Sequence, residues 1–117
     1  MSQFFFRALQ SHQRGALNDA IANYKMVPPS DPSYFDALCN LGIIHFQMQN
    51  LDAACGALET LTKSMPRHRT ALTMLGLVHQ HMNDPERAIN YFTKAIKVDP
   101  QHAEDYYNRG ISLIALN

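Results

Sequence analysis

Three glycines constrain this chain more than any other feature. Gly42 in NLGIIHFQ, Gly76 in MLGLVHQH and Gly110 in NRGISLIA follow one another at an unbroken interval of thirty-four residues. The same step links Ala20, Ala54 and Ala88, and again Pro32, Pro66 and Pro100. A constant period at three independent positions means that one supersecondary unit is copied along the chain, so neighbouring units must bury each other's apolar faces. The clearest copy shows what the unit is. Gly76 and Ala88 flank a turn at NDPE, which lets two antiparallel helices approach where neither carries a large side chain. Asp84 can cap the second helix, with Pro85 at its first position, where a missing N–H is harmless. Pro100 then stops that helix, because the residue before a proline avoids helical geometry. The spacing predicts helices over 3–14, 17–27, 33–48, 51–63, 68–82, 85–97 and 101–116, with VPPSDPS as a turn through which the register runs unchanged.

These residues resemble the tetratricopeptide repeat. In LTMLGLVHQHMNDPERAINYFTKAIKVDP, the residues Leu72, Leu75, Gly76, Ala88, Phe92, Ala95 and Pro100 match the family's signature places. The preceding copy keeps Leu38, Leu41, Gly42, Ala54 and Pro66, with Leu58 and Leu61 as apolar substitutes. The first copy is weaker: Ala8 replaces the glycine and Arg7 the usual leucine, while Ala20, Tyr24 and Pro32 hold. The resemblance covers the whole chain and implies an all-α, right-handed superhelical α-solenoid. It would form a single domain of repeats at 1–34, 35–68 and 69–102, followed by the first helix of a fourth at 103–117.

That last helix is apolar at Ile111, Leu113, Ile114 and Leu116. Leaving two or three such aliphatics exposed forfeits roughly 3–8 kcal/mol of burial, and natural arrays finish with a helix whose outer face is polar. The expectation is the N-terminal part of a longer protein, or a chain that covers this face with another copy of itself.

Ten Lys and Arg balance ten Asp and Glu, so no basic footprint for nucleic acid exists. No stretch is long enough to cross a bilayer, and MSQFFFRALQSHQ lacks the basic start, apolar run and cleavage site of a signal peptide. Together with only two cysteines, Cys39 and Cys55, these features point to reduced thiols in the cytoplasm. The glycines stand singly rather than in a phosphate loop, and no Ser or Cys sits in a nucleophile motif, so an active site within the segment and a cofactor are not expected. His79 and His81, two apart on a helix, diverge and cannot chelate together, and no metal is expected. His45 and His79 read as packing positions, and Met48, Met74 and Met82 as core filler. Phe4, Phe5 and Phe6 fan around a helix, so at least one must be exposed or cover the N-terminal end of the stack.

By resemblance to the family, the face of each first helix that carries Thr70, Met74, Leu77 and His81 lines a concave peptide-binding groove. Across the repeats this strip holds an aliphatic row, Leu9, Ile43, Leu77 and Ile111, flanked by Phe6, Asn40, Met74 and Asn108. Gln13, Gln47 and His81 run beside it, and Asp36 and Glu104 add acidity at one edge. Asn40 and Asn108 are the preferred ligand-holding residues, since packing does not require an amide, whereas the aliphatic row could equally pack between helices. Family members that clamp the acidic tails of heat-shock chaperones use Lys or Arg with Asn. Phe5, Leu9, Thr70 and Met74 stand at the other clamp places here, so a buried carboxylate would lack partners. Three readings remain: a non-enzymatic scaffold binding a protein or peptide in the groove; the leading segment of a larger enzyme resembling O-linked N-acetylglucosamine transferase; and an array that self-assembles through its open ends.

Overall fold

The computed structural model describes residues 2–117, so residue 1, where the first repeat is placed to begin, lies outside the described residues. Among the described residues there are seven α-helices and no strand: α1 (Gln3–Gln13), α2 (Leu17–Lys25), α3 (Tyr34–Gln47), α4 (Leu51–Ser64), α5 (Arg69–His81), α6 (Pro85–Val98) and α7 (Ala103–Ala115). All seven expected helices are present, and the differences at their ends have local causes. The last starts at Ala103 rather than 101 because the Asp99 carboxylate holds the Gln101 N–H at 3.1 Å and the His102 ring at 2.9 Å, fixing a turn before the helix. The second stops at Lys25, and in the turn that follows Asp31 Oδ1 accepts from the Ser33 N–H at 2.8 Å and from its hydroxyl. These bonds to Ser33 hold the Asp31 carboxyl below its usual pKa.

The turn inside each hairpin is the same device three times. Gly15, Gln49 and Asn83 adopt φ of 77°, 61° and 58°. The N–H of the next residue then reaches back to the carbonyl five positions earlier: Ala16 to Ser11 at 2.8 Å, Asn50 to His45 at 2.8 Å, Asp84 to His79 at 2.9 Å. Glycine enters this left-handed conformation without strain and Asn tolerates it, but Gln49 does not belong to either class. Gln49→Gly is expected to stabilise the fold by up to about 1 kcal/mol, read as a rise in denaturation midpoint. Asp84 caps α6 as its sequence implies, accepting from the Arg87 N–H at 3.2 Å, with Pro85 in the first turn.

Each hairpin buries the inner face of its second helix, and the register is visible in what is buried. Ala20, Ala54 and Ala88 are fully buried, as are Tyr24, Leu58 and Phe92 four residues further on, and Val27, Leu61 and Ala95 three beyond those. The next hairpin then closes each cluster: Ala37, Leu41 and Ile44 of α3 complete the first, and Ala71, Leu75 and Val78 of α5 the second. Each first helix thus packs backward on the preceding hairpin and sideways on its own partner, giving an elongated body of 47 × 25 × 21 Å.

Glycine at the shared position is required by close approach. A Cβ on Gly76 would lie 2.4 Å from Phe92 Cε1, and one on Gly42 would lie 2.5 Å from Leu58 Cγ. At Gly110 a Cβ would meet nothing within 4 Å, because α7 packs on α5 and α6 through its other side and no helix covers Gly110 among the described residues.

The two ends of the body differ from its middle. In register with Ala37, Leu41 and Ile44, α1 presents Gln3, Arg7 and Gln10, all exposed, so the N-terminal end is polar. Of the three phenylalanines expected to fan out there, Phe5 is buried, Phe4 half-buried and Phe6 exposed. At the other end, the places of Ala71, Leu75 and Val78 are taken in α7 by Asp105, Arg109 and Ser112, so α7 docks through polar bonds. Thr73 Oγ1 donates to Asp105 Oδ1 at 2.6 Å, and Arg69 Nε lies 3.4 Å from Asp105 Oδ2. Gln80 Nε2 donates to the Asn108 carbonyl at 2.8 Å and to Ser112 Oγ at 2.9 Å.

Candidate functional site

The first helix α3 lies against α5 and α5 against α7, and the repeat register puts the residues named from the sequence at equivalent places in α1, α3, α5 and α7. Leu9, Ile43 and Leu77 are half-buried, and Ile111 is exposed. Asn40, Met74 and Asn108 are half-buried beside them, while Gln47, His81, Gln13, Asp36 and Phe6 are exposed. Part of the aliphatic row does pack: Leu9 lies on the first core cluster, and Ile43 and Met74 on the second. The strip therefore has an apolar floor fixed by the core and an outer edge of amides, imidazole and acid.

One expectation needs correcting. Packing does make use of an amide at position 40: Asn40 Nδ2 donates to Tyr24 Oη at 3.2 Å, so this side chain is tied to the first hairpin. Burial pushes the Tyr24 phenol up, and the bond from Asn40 partly offsets it. Asn108 contributes its backbone carbonyl to Gln80. His81 is oriented by two neighbours, donating from Nδ1 to the Leu77 carbonyl at 2.9 Å and standing edge-on to Phe46 with ring centroids 4.8 Å apart. With Nδ1 committed to that carbonyl, Nε2 is the ring's acceptor nitrogen.

At one end the strip deepens into a cavity of about 550 Å³, lined by Gln80, His81, Asn83, Pro85, Ile111, Ser112 and Ala115. Gln80 and Ser112 are not singled out by the repeat pattern. The signal that could have found them is the loss of apolar character at 105, 109 and 112 relative to the preceding copies. The strip's charge is also one-sided. Asp36 is exposed, and the Arg69 cation, only 17% exposed, is occupied by Glu104 and Asp105.

A second cluster lies where α4, α5 and α6 meet. Cys55 Sγ stands 3.8 Å from His79 Nε2, and His79 Nδ1 stands 3.9 Å from Asp84 Oδ2. The order of groups resembles a nucleophile with its base, but the thiol is held in the wrong state. Cys55 donates to Glu59 Oε1 at 2.6 Å, and burial together with that carboxylate pushes its pKa up to about 12. A protonated thiol does not attack. Cys39 is buried and both thiols are free. His79 stacks on Tyr91 with centroids 5.4 Å apart, the packing role expected of it. Among the described residues no group of three His, Cys, Asp or Glu side chains is placed to hold a metal ion, and no helix is long and apolar enough to cross a membrane.

His45 and His79 give the fold a pH dependence. Burial lowers both pKa values from 6.5, with Lys25 adding to the effect at His45; at His79 Arg87 adds to it, against opposing contributions from Asp84 and Glu59. The unfolded chain therefore binds more protons than the folded one below pH 6.5. Stability should be full above that value and fall as the pH drops through the folded values. Thermal melts between pH 8 and pH 5 check this, and His79→Gln should flatten the slope.

Comparison with known proteins agrees with the helical architecture. A family model described as tetratricopeptide repeat matches residues 33–101. Among solved structures, a crystal structure of MamA protein aligns with a TM-score of 0.89 at 21% identity, covering 97% of this chain and 62% of that one. A tetratricopeptide repeat protein from Parabacteroides merdae gives 0.91 at 22%, covering 97% and 46%. The first repeat domain of Spaghetti (RPAP3) bound to the HSP90 peptide SRMEEVD gives 0.89 at 15%, covering 97% and 90%. The chain thus spans less than two thirds of the length of the first two. No curated protein sequence matches it. With its matched segment exceeding half its length, and its helices stacked in the thirty-four-residue register, the chain belongs to the tetratricopeptide repeat family.

Proposed function

We propose that this chain is a protein-interaction scaffold that holds an extended or helical segment of a partner along the strip of α1, α3, α5 and α7. The observation that carries this reading is the strip itself: an aliphatic row at Leu9, Ile43, Leu77 and Ile111, edged by Gln47, His81 and Asn108 and opening into the cavity at α5 and α7. Such a surface suits apolar anchors on the partner, with amides and imidazole to meet its backbone.

The structural neighbour RPAP3 is bound to an acidic HSP90 peptide. Here Thr70 and Met74 replace cationic clamp residues, Arg69 is already paired, and Asp36 is exposed, which favours a neutral or basic apolar segment. A backbone-holding asparagine ladder of the glycosyltransferase type fits less well, since Asn40 is bonded to Tyr24.

Panning a random peptide library against the chain supplies a probe whose binding can be followed by fluorescence anisotropy. Leu77→Asp should weaken it at least about tenfold, since a charge would be desolvated against apolar anchors. Met74→Ala should weaken it less. If peptides selected on the wild-type chain bind Leu77→Asp equally well, the strip is not the binding surface.

A further inference from the structure

The cavity between α5 and α7 comes from three departures from the repeat. One junction earlier, Phe46 of α3 and His81 of α5 meet with ring centroids 4.8 Å apart and planes at 84°, and Val78 is fully buried. Thirty-four residues on, the places of Phe46, Val78 and His81 are taken by Gln80, Ser112 and Ala115, and all three line the cavity. A pair of rings has become an amide and a methyl, and about 550 Å³ stands open in their place. The opening is written into α5 and α7 themselves.

The polar groups of the walls are largely acceptors. Gln80 Nε2 commits both its hydrogens, to the Asn108 carbonyl at 2.8 Å and to Ser112 Oγ at 2.9 Å, so the group that Gln80 retains is the acceptor Oε1. His81 donates through Nδ1 to the Leu77 carbonyl, and its Nε2 accepts. The exposed Asn83 amide can serve in either role. Pro85, Ile111 and Ala115 supply apolar wall, and among the described residues the lining holds no carboxylate and no Lys or Arg.

This combination discriminates between side chains. A Lys or Arg entering the cavity would shed water without meeting an opposite charge, and a carboxylate would face acceptors without a cation. Leu or Phe would fill the space but strip water from Gln80 Oε1 and His81 Nε2 without replacing its hydrogen bonds. A ring with a donor at its edge satisfies both demands, and the indole N–H, which only donates, does so best. An aromatic ring is also what the chain itself supplies at this place one junction earlier.

We infer that the cavity is a specificity pocket for one aromatic side chain of the bound segment that carries a donor, tryptophan foremost, with its N–H accepted by Gln80 or His81. This role depends on the strip being the binding surface, as proposed above, and fixes which residue the partner must carry there.

Peptides selected from a random library on the wild-type chain test it, with binding followed by fluorescence anisotropy. They should share a Trp or Tyr, and exchanging that residue for Leu should weaken binding at least about tenfold. Removing only its donor, by benzothienylalanine for Trp or Phe for Tyr, should weaken binding about three- to tenfold. Ala115→His returns the ring found at position 81 and should weaken the parent peptide at least about tenfold by filling the pocket. Ala115 is exposed, so that variant should keep its circular dichroism spectrum and melting temperature, and the Leu-exchanged peptide should bind it and the wild type alike. Leu77→Asp separates the two readings. Binding indifferent to Leu77→Asp, or a library that yields no binder, overturns the strip as the binding surface and the pocket with it. Binding that responds to Leu77→Asp leaves the strip standing and overturns the pocket alone if the peptides share no Trp or Tyr, tolerate Ala115→His, or lose nothing with the donor.

Discussion

Phe92→Ala is expected to destabilise the chain by about 3–5 kcal/mol, the usual cost of emptying a fully buried aromatic site. Phe92 is 0% exposed and its ring lies over Gly76, filling the space that a side chain on α5 would otherwise occupy. Because α6 also carries α7, the cavity opens at the junction of two repeats and cannot collapse without moving both. Chemical denaturation should show the loss, with a melting temperature lower by upwards of roughly 10 °C. The converse change probes the same contact from the other side. Gly76→Ala places a methyl 2.4 Å from the ring and should cost about 1–3 kcal/mol. In the Phe92→Ala background that cost should disappear, so the pair should couple strongly in a double-mutant cycle. Gly56→Ala is the control: open space surrounds that position, and a gain of about 0.5–1 kcal/mol from helix propensity is expected.

Asp105→Ala should cost about 3 kcal/mol, the lower end of the range for breaking a buried ion pair by removing one partner. Asp105 is completely buried, holds the Thr73 hydroxyl and faces Arg69. Its removal leaves the Thr73 hydroxyl without its acceptor and takes a nearby opposite charge from the Arg69 guanidinium, although Arg69 keeps Glu104, which limits the loss. The effect should be local. Hydrogen exchange should accelerate through α7 while α1 to α4 keep their protection, because in a stack each repeat senses only its neighbours. Exchange accelerating equally in every helix would show instead that the chain unfolds as one unit.

How much of this was legible in the sequence follows from what periodicity can carry. The period located every helix, and it placed Tyr24, Leu58 and Phe92 at one equivalent position although the three side chains differ. Residues that pack alike recur alike, so Gly42 and Gly76 could be read as sites of close approach before any coordinates. Polar docking was not legible, because it departs from the repeat. Asp105 and Ser112 look like ordinary surface residues of an amphipathic helix until Thr73, Gln80 and Arg69 are seen to face them. The second role of Asn40 was hidden for a related reason. An amide on an otherwise apolar face suggests a ligand, yet its partner was Tyr24, sixteen residues away on another helix. The polar N-terminal end was present in the text as Arg7 replacing a leucine, but its meaning depended on seeing which neighbour that position lacks.

The most direct test of the account is residue-resolved NMR of the chain titrated with a peptide selected on it. Backbone shifts should move for Ile43, Gln47, Met74, Leu77, His81 and Asn108, along α3, α5 and α7, and stay in place on the outer faces of α2, α4 and α6. Shifts concentrated on those outer faces, with Leu77 and His81 undisturbed, would contradict it.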